Sequence, residues 1–209
     1  MRAVILCNGE RPSDGLLRSV VEGADLVACT DGAALWALEK GISVQLFVGD
    51  MDSLEDRSVL DRLDCEKELY QPEKDMTDGE IAARKVARMG ADEIILLGAT
   101  GRRLDHTLGN LGVLVACKQM GVNAILLDDM QEIHVTCTRL ELAGKKGDIL
   151  SIIPLGVNAR VHMTRGLQYQ LVGHSLELGS TLGVSNVFEG ERAEIVMEHG
   201  WVAVLKLRS

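Results

Sequence analysis

The chain opens on a continuous apolar run, Ala3-Val4-Ile5-Leu6-Cys7, and closes it with polar residues. Such a run predicts a strand buried on both faces, as in a parallel sheet. A helix is expected from Ser13, then a strand at 25–29 (DLVAC), a helix at 34–40 (ALWALEK) and a strand at 44–48 (VQLFV). Residues 54–63 have weak helical periodicity, and 66–70 (EKELY) read as a strand. Thr77 followed by Glu80 is a capping box. It starts the helix EIAARKVARMG, which Gly90 ends. EIILL (93–97) is a strand, 105–120 a helix, and AILLD (124–128) another strand.

The rhythm then changes. EIHVTC, DILSIIP, ARVHM, LQYQLV, AEIVM and WVAVLKL are short strand candidates, separated by turn signals at Gly144–Gly147, Gly156, Gly173 and Gly190. The alternation of strand and helix up to residue 129 predicts a doubly wound α/β domain with a mostly parallel sheet. The remainder, 130–209, predicts an antiparallel β-sandwich domain. The four-residue echo of LVAC at 26–29 and 114–117 has no period, so it is not a repeat.

Composition narrows the classes of partner. Apolar residues make up 46% of the 209 and aromatics only 3%, so the core is built from aliphatic side chains. The net charge of −9 argues against a nucleic-acid partner. Five cysteines without C-x-x-C spacing argue against a disulfide framework or a zinc site, and for a reducing cytoplasm. The first apolar run is too short for a signal peptide or membrane span, so no membrane association is expected.

Candidate chemistry sits in the loops after the predicted strands, where an open α/β sheet binds its ligands. The second strand is followed by Thr30-Asp31-Gly32-Ala33-Ala34 and the third by Gly49-Asp50-Met51-Asp52-Ser53. The fourth is followed by Lys74-Asp75-Met76-Thr77-Asp78, and the fifth by a loop from Gly98 to His106 containing Asp105. Asp is common in turns and helix caps, which explains any one of these residues. Several carboxylates converging on one cleft call for a cation, and hard oxygen donors suit magnesium. Asp50, Asp52 and Asp75 are the expected metal ligands, with Asp31, Asp78 and Asp105 nearby.

Gly98-Ala99-Thr100-Gly101 followed by Arg102 and Arg103 is a candidate phosphate loop. Neither G-x-x-x-x-G-K-[ST] nor G-x-G-x-x-G occurs. The Asp-x-Asp at 50–52 is compatible with a metal pair, with an aspartyl-nucleophile phosphatase and with a nucleotide-sugar transferase. His106 is equally a ligand contact or a structural histidine. Gly183-Val184-Ser185-Asn186 in the second half reads, on chemistry alone, as a turn.

Taken in order, TDGAA, GDMDS, KDMTDGEIA, GATGRRLDHTLGN, SIIPLG, GLQYQL and GVSN resemble the thiamine pyrophosphokinase family. The resemblance implies a homodimer with an α/β nucleotide domain and a β-sandwich. It also implies magnesium-dependent transfer of pyrophosphate from ATP to the thiamine hydroxyl, giving thiamine diphosphate and AMP. Metal and catalytic roles carry over to Asp50, Asp52 and Asp75, with Asp78 and Asp105 as candidate bases. Nucleotide contacts carry over to Asp31, Gly32, Gly98, Thr100, Arg102, Arg103 and His106. Ser185 and Asn186 carry over to the thiamine side. Two positions depart from the family pattern: Ala33 stands where a second glycine is usual, and Val187 where an acid often follows the Ser-Asn pair.

Overall fold

The computed structural model describes residues 1–50, 58–71, 73, 75–101 and 103–208. The chain divides into two compact units, Met1–Asp129 and Met130–Ser209.

The first unit alternates β1 (Arg2–Leu6), α1 (Asp14–Val21), β2 (Leu26–Thr30), α2 (Ala33–Glu39), β3 (Leu46–Gly49), α3 (Ser58–Asp61), β4 (Glu66–Leu69), α4 (Asp78–Arg88), β5 (Glu93–Leu97), α5 (Leu104–Gln119) and β6 (Asn123–Leu127). Its strands are hydrogen-bonded in the order β6-β5-β1-β2-β3-β4, and every pairing is parallel. β2 is buried at all five positions, as a central strand covered on both faces must be. Alternation along the strands supplies the two faces. Val4, Leu6, Val27, Cys29 and Phe47 pack with α1, α2 and α3 around Leu17, Trp36 and Leu60. α4 packs on β1, β2 and β3, and α5 on β6 and α4.

Local chemistry places the helix starts. Ser13 caps α1, its hydroxyl accepting from Leu16 N at 3.3 Å. Thr77 caps α4, accepting from Glu80 N at 3.2 Å. Gly90, at φ 97°, ends that helix in the left-handed conformation that glycine adopts without a Cβ penalty.

The strand order reverses at β1. The chain runs outward through β2, β3 and β4, then returns to place β5 on the other side of β1. At such a switch point the loops leaving two neighbouring strands diverge and leave a crevice at the carboxyl edge of the sheet. In this unit it lies between the loop after β1 and the loop after β5.

The second unit contains β7 (Gln131–Thr136), β8 (Arg139–Ala143), β9 (Ile149–Pro154), β10 (Ala159–Arg165), β11 (Ser175–Leu176), β12 (Asn186–Val187), β13 (Arg192–His199) and β14 (Val202–Leu207). β12-β9-β14-β7 are paired antiparallel, as are β11-β10-β13-β8. Leu150, Ile152, Val202 and Val204 from the first set meet Val161, Ala193, Ile195 and Leu142 from the second around Phe188, which gives a sandwich. Gly144 lies so close to Phe188 that a Cβ there would come within 2.6 Å of the ring.

Two elements differ from the pattern in the sequence. β8 (RLELA) was not among the expected strands, because its apolar positions are flanked by charge on the open face. Residues 167–172, expected to be a strand, form only isolated bridges, Leu167 to Phe188 and Met163 to Val172. Leu167 and Leu171 both enter the core, and a strand would place residues four apart on one face as well. What breaks the ladder is the hydrogen bonding. Tyr169 N–H donates to Asn186 Oδ1 at 3.0 Å and Leu171 N–H to Thr164 Oγ1 at 2.9 Å, so side chains take the donors a neighbouring strand would need.

Candidate functional site

The crevice at the switch point is a pocket of about 760 Å³. One wall is the loop after β1, Asn8-Gly9-Glu10-Arg11. The other is Gly98-Ala99-Thr100-Gly101 after β5. Asp31 enters from the end of β2, Thr77, Asp78 and Gly79 from the start of α4, and Arg103, His106, Thr107 and Asn110 from α5 and its approach. The two walls are joined by backbone hydrogen bonds from Gly9 N to Gly98 O (2.7 Å) and from Glu10 N to Thr100 O (2.8 Å). Glycine is needed where they meet. A Cβ on Gly9 would lie 2.2 Å from Thr100 O, and one on Gly98, at φ 65°, would lie 2.4 Å from Cys7 O.

Asp31, Asp50 and Asp78 each present a carboxylate oxygen, and the three lie within 4.8 Å of one another, half-buried. They come from the ends of β2 and β3 and the first turn of α4. The backbone is shaped for this approach. Asp31 has φ 43°, a left-handed conformation that a non-glycine residue adopts at a cost and that is concentrated at functional sites. Gly49 makes room for it: a Cβ there would lie 2.2 Å from Asp31 Oδ1. Three carboxylates this close repel one another unless a cation lies between them. Carboxylate oxygens are the hard donors that magnesium takes.

The expected residues are therefore distributed unevenly. Asp31, Asp50 and Asp78 are brought together. Asp75 is exposed and outside that group. Asp52 and Arg102 lie outside the described residues. Gly98, Thr100, Arg103 and His106 line the pocket, and Gly32 abuts Asn8, whose Oδ1 would be 2.4 Å from a Cβ at that position. Ala33, the departure from the double glycine, is fully buried.

Asp105 is engaged by Arg103 through two hydrogen bonds, at 3.1 and 2.6 Å. The hydrogen bond from Arg103 holds the Asp105 carboxyl down at about 2, so in this arrangement it is a weak proton acceptor. The Thr100 hydroxyl donates to Asp128 Oδ2 at 3.0 Å. Cys7 also lines the pocket, and burial, with Asp31 close by, pushes its thiol up to about 12. It is a packing residue at ordinary pH.

Ser185 and Asn186 lie in the second unit. Ser185 has φ 57°, is exposed, and donates its N–H to Ser151 Oγ at 3.0 Å. Asn186 is 3% exposed. Its Oδ1 accepts from Tyr169 N and Val187 N, and its Nδ2 donates to Tyr169 O at 2.6 Å. The amide thus pins the 167–171 segment to β12.

Sequence reasoning passed over the Asn8–Arg11 wall, Thr107, Asn110 and Asp128. The first-strand loop carries no aspartate, and its one signal was Gly9 in the turn that follows a buried strand. Thr107 and Asn110 fall within the GATGRRLDHTLGN motif, but nothing local in the sequence says what either touches.

The two halves of the chain match two family models: thiamin pyrophosphokinase, catalytic domain, over residues 17–126, and thiamin pyrophosphokinase, vitamin B1 binding domain, over residues 132–202. The chain belongs to the thiamin pyrophosphokinase family. Its relatives include the thiamine pyrophosphokinase of Bacillus subtilis (strain 168), 28% identical over 197 residues, covering 87% of this chain and 91% of the relative. Thiamine pyrophosphokinase 1 of Oryza sativa subsp. japonica is 27% identical over 179 residues, covering 77% of this chain and 65% of that protein. The fold agrees with the crystal structure of the Bacillus subtilis enzyme, with a TM-score of 0.86 at 24% identity and 100% of both chains covered. It also agrees with thiamin pyrophosphokinase from Candida albicans, at 0.83 and 14% identity, covering 100% of this chain and 90% of the other. Family models and relatives alike are of thiamine pyrophosphokinases, so the chain is read as an enzyme, a transferase that makes thiamine diphosphate.

Proposed function

We propose that this enzyme transfers pyrophosphate from ATP to the hydroxyl of thiamine, releasing AMP, and that residues 1–129 hold the nucleotide while residues 130–209 supply thiamine contacts and the contact between two copies. The observation that carries the reading is the Asp31–Asp50–Asp78 group beside a pocket walled by a glycine-containing loop at the switch point. In this proposal Asp31 and Asp50, with Asp52 and Asp75 as further candidates, hold magnesium, which would offset phosphate charge when bound.

The backbone of 98–101, with Arg103 and His106, binds the nucleotide phosphates from the opposite wall. The thiamine hydroxyl oxygen forms a bond to the β-phosphorus, and the bond from that phosphorus to the α,β-bridging oxygen breaks in line. The electron pair leaves with AMP. Asp78, which lines the pocket, is the carboxylate proposed to take the hydroxyl proton, since Asp105 is engaged by Arg103. No phospho-enzyme is required, which separates this scheme from an aspartyl nucleophile at Asp50. On the thiamine side, exposed Ser185 is the direct contact, and Asn186 acts by holding the Tyr169 segment.

The free cysteines are compatible with a cytoplasmic enzyme, and no helix among the described residues is long and apolar enough to cross a membrane. The test is a single-turnover reaction with ATP, magnesium and thiamine, with products separated by chromatography. AMP appearing in step with thiamine diphosphate is the expected result. ADP with thiamine monophosphate, or a trapped phospho-aspartate, would overturn the mechanism.

A further inference from the structure

The wall formed by residues 98–101 is held at each of its first three carbonyls. Gly98 O accepts from Gly9 N at 2.7 Å, Ala99 O from Asn110 Nδ2 at 2.6 Å, and Thr100 O from Glu10 N at 2.8 Å. The Thr100 hydroxyl is in turn held by Asp128 at 3.0 Å. A trans peptide is planar, with its carbonyl and the next N–H pointing in opposite directions. Fixing three successive carbonyls therefore fixes the N–H groups of Ala99, Thr100 and Gly101. Gly98 at φ 65° and Gly101 at φ 144° would otherwise leave this backbone free to rotate. Backbone N–H groups stabilise an anion best when they do not reorient as charge arrives.

Two of the restraints are side chains from different elements. Asn110 reaches from the second turn of α5, and Asp128 follows β6 directly. We infer that Asn110 and Asp128 are positioning residues that lock the peptide planes of the 98–101 wall for the nucleotide phosphates. This rests on the proposal that the pocket is the nucleotide site.

Each restraint is one hydrogen bond, so its loss should weaken nucleotide use by about fivefold to tenfold while leaving thiamine use alone. The experiment measures KM for ATP and for thiamine in Asn110→Ala, Asp128→Ala, Asp128→Asn and Thr100→Val, with melting temperatures to verify folding. Calorimetric titration of wild type with ATP and magnesium accompanies it. The expected result is a raised ATP KM in Asn110→Ala, Asp128→Ala and Thr100→Val, with thiamine KM changed less than about twofold. Asp128→Asn keeps an acceptor for the Thr100 hydroxyl and should recover most of the loss.

An unchanged ATP KM in Asn110→Ala and Thr100→Val would overturn the inference, as would equal rises in both KM values or an Asp128→Asn variant as impaired as Asp128→Ala. If Asp128→Ala does not fold, Asn110→Ala and Thr100→Val, which leave Asp128 in place, decide the matter alone. Wild type that fails to bind ATP would remove the nucleotide proposal itself. Wild type that binds while the variants bind equally well would remove only the positioning role.

Discussion

The two units use their polar residues in opposite ways. In the parallel unit the strands inside the edge strand β4 are mostly apolar, and the chemistry is displaced to the carboxyl edge of the sheet, where Asp31, Asp50 and Asp78 converge. In the antiparallel unit fully buried and less buried positions alternate along strands such as β9 and β13, and the buried polar groups serve the fold. Asn186 is the clearest case, with its amide turned onto the backbone of Tyr169. Parallel connection places every loop after a strand at the same sheet edge, so residues far apart in sequence meet there. Antiparallel connection alternates the ends, so loops scatter and a polar side chain finds a backbone partner first.

The contrast predicts that activity and stability respond separately. The largest effect is expected for Asp50→Asn, which keeps size and removes charge. Turnover should fall on the order of 100-fold or more, while the melting temperature holds or rises because like-charge repulsion is relieved. A thermal melt paired with a turnover assay checks both, and activity near wild type at limiting magnesium would remove Asp50 from the site.

Gly49→Ala adds one methyl where Asp31 Oδ1 would lie 2.2 Å away. Displacing that carboxylate should lower turnover by about 10- to 100-fold with little change in stability. Weakened magnesium dependence in the same variant would tie the loss to Asp31.

Asn186→Ala should show the reverse profile. Leaving Tyr169 N–H and O without their partners costs about 1–3 kcal/mol, read in denaturant unfolding of the full chain. The thiamine KM should rise more than the ATP KM, and an ATP-selective effect would break the assignment of the two units.

The smallest effect concerns pH. The neighbouring His134, its Nε2 3.7 Å from Glu132 Oε1, holds the Glu132 carboxyl below its usual 4.5, with desolvation opposing and Lys206, at 3.3 Å, assisting. Its folded value is depressed, so its stabilisation is present above about 4.5 and is lost as pH falls through the lower folded value. Glu132→Gln should lower the melting temperature slightly at pH 7 and flatten the decline on acidification. An unchanged acid profile would show that this partly buried pair contributes nothing measurable.

Much of the site was legible because it depends on a strand followed by a polar turn, and both have local signatures. Asp31 and Asp50 are visible as the first acids after apolar runs, and Thr77 marks the start of the helix carrying Asp78 as a cap. Membership of the aspartate group was not legible. Whether Asp75 or Asp78 reaches the other acids depends on which turn of the α4 entry faces the crevice, and a difference of three residues reverses it. Asn110 and Asp128 were hidden for a different reason. Their partners are the backbone carbonyl of Ala99 and the hydroxyl of Thr100, and hydrogen bonds to the main chain have no pairwise signature in a sequence.

By itself the sequence determined the alternation of elements, the change from parallel α/β to antiparallel β, and the family through the order of its motifs. These follow from periodicity and turn chemistry, which act over a few residues at a time. The tertiary structure alone decided the strand order β6-β5-β1-β2-β3-β4, and with it the crevice beside β1. It also decided that the aspartate-free loop after β1 forms one wall of the pocket. Strand order is fixed by which apolar faces pack together across the whole unit, a global condition that no local window of residues contains.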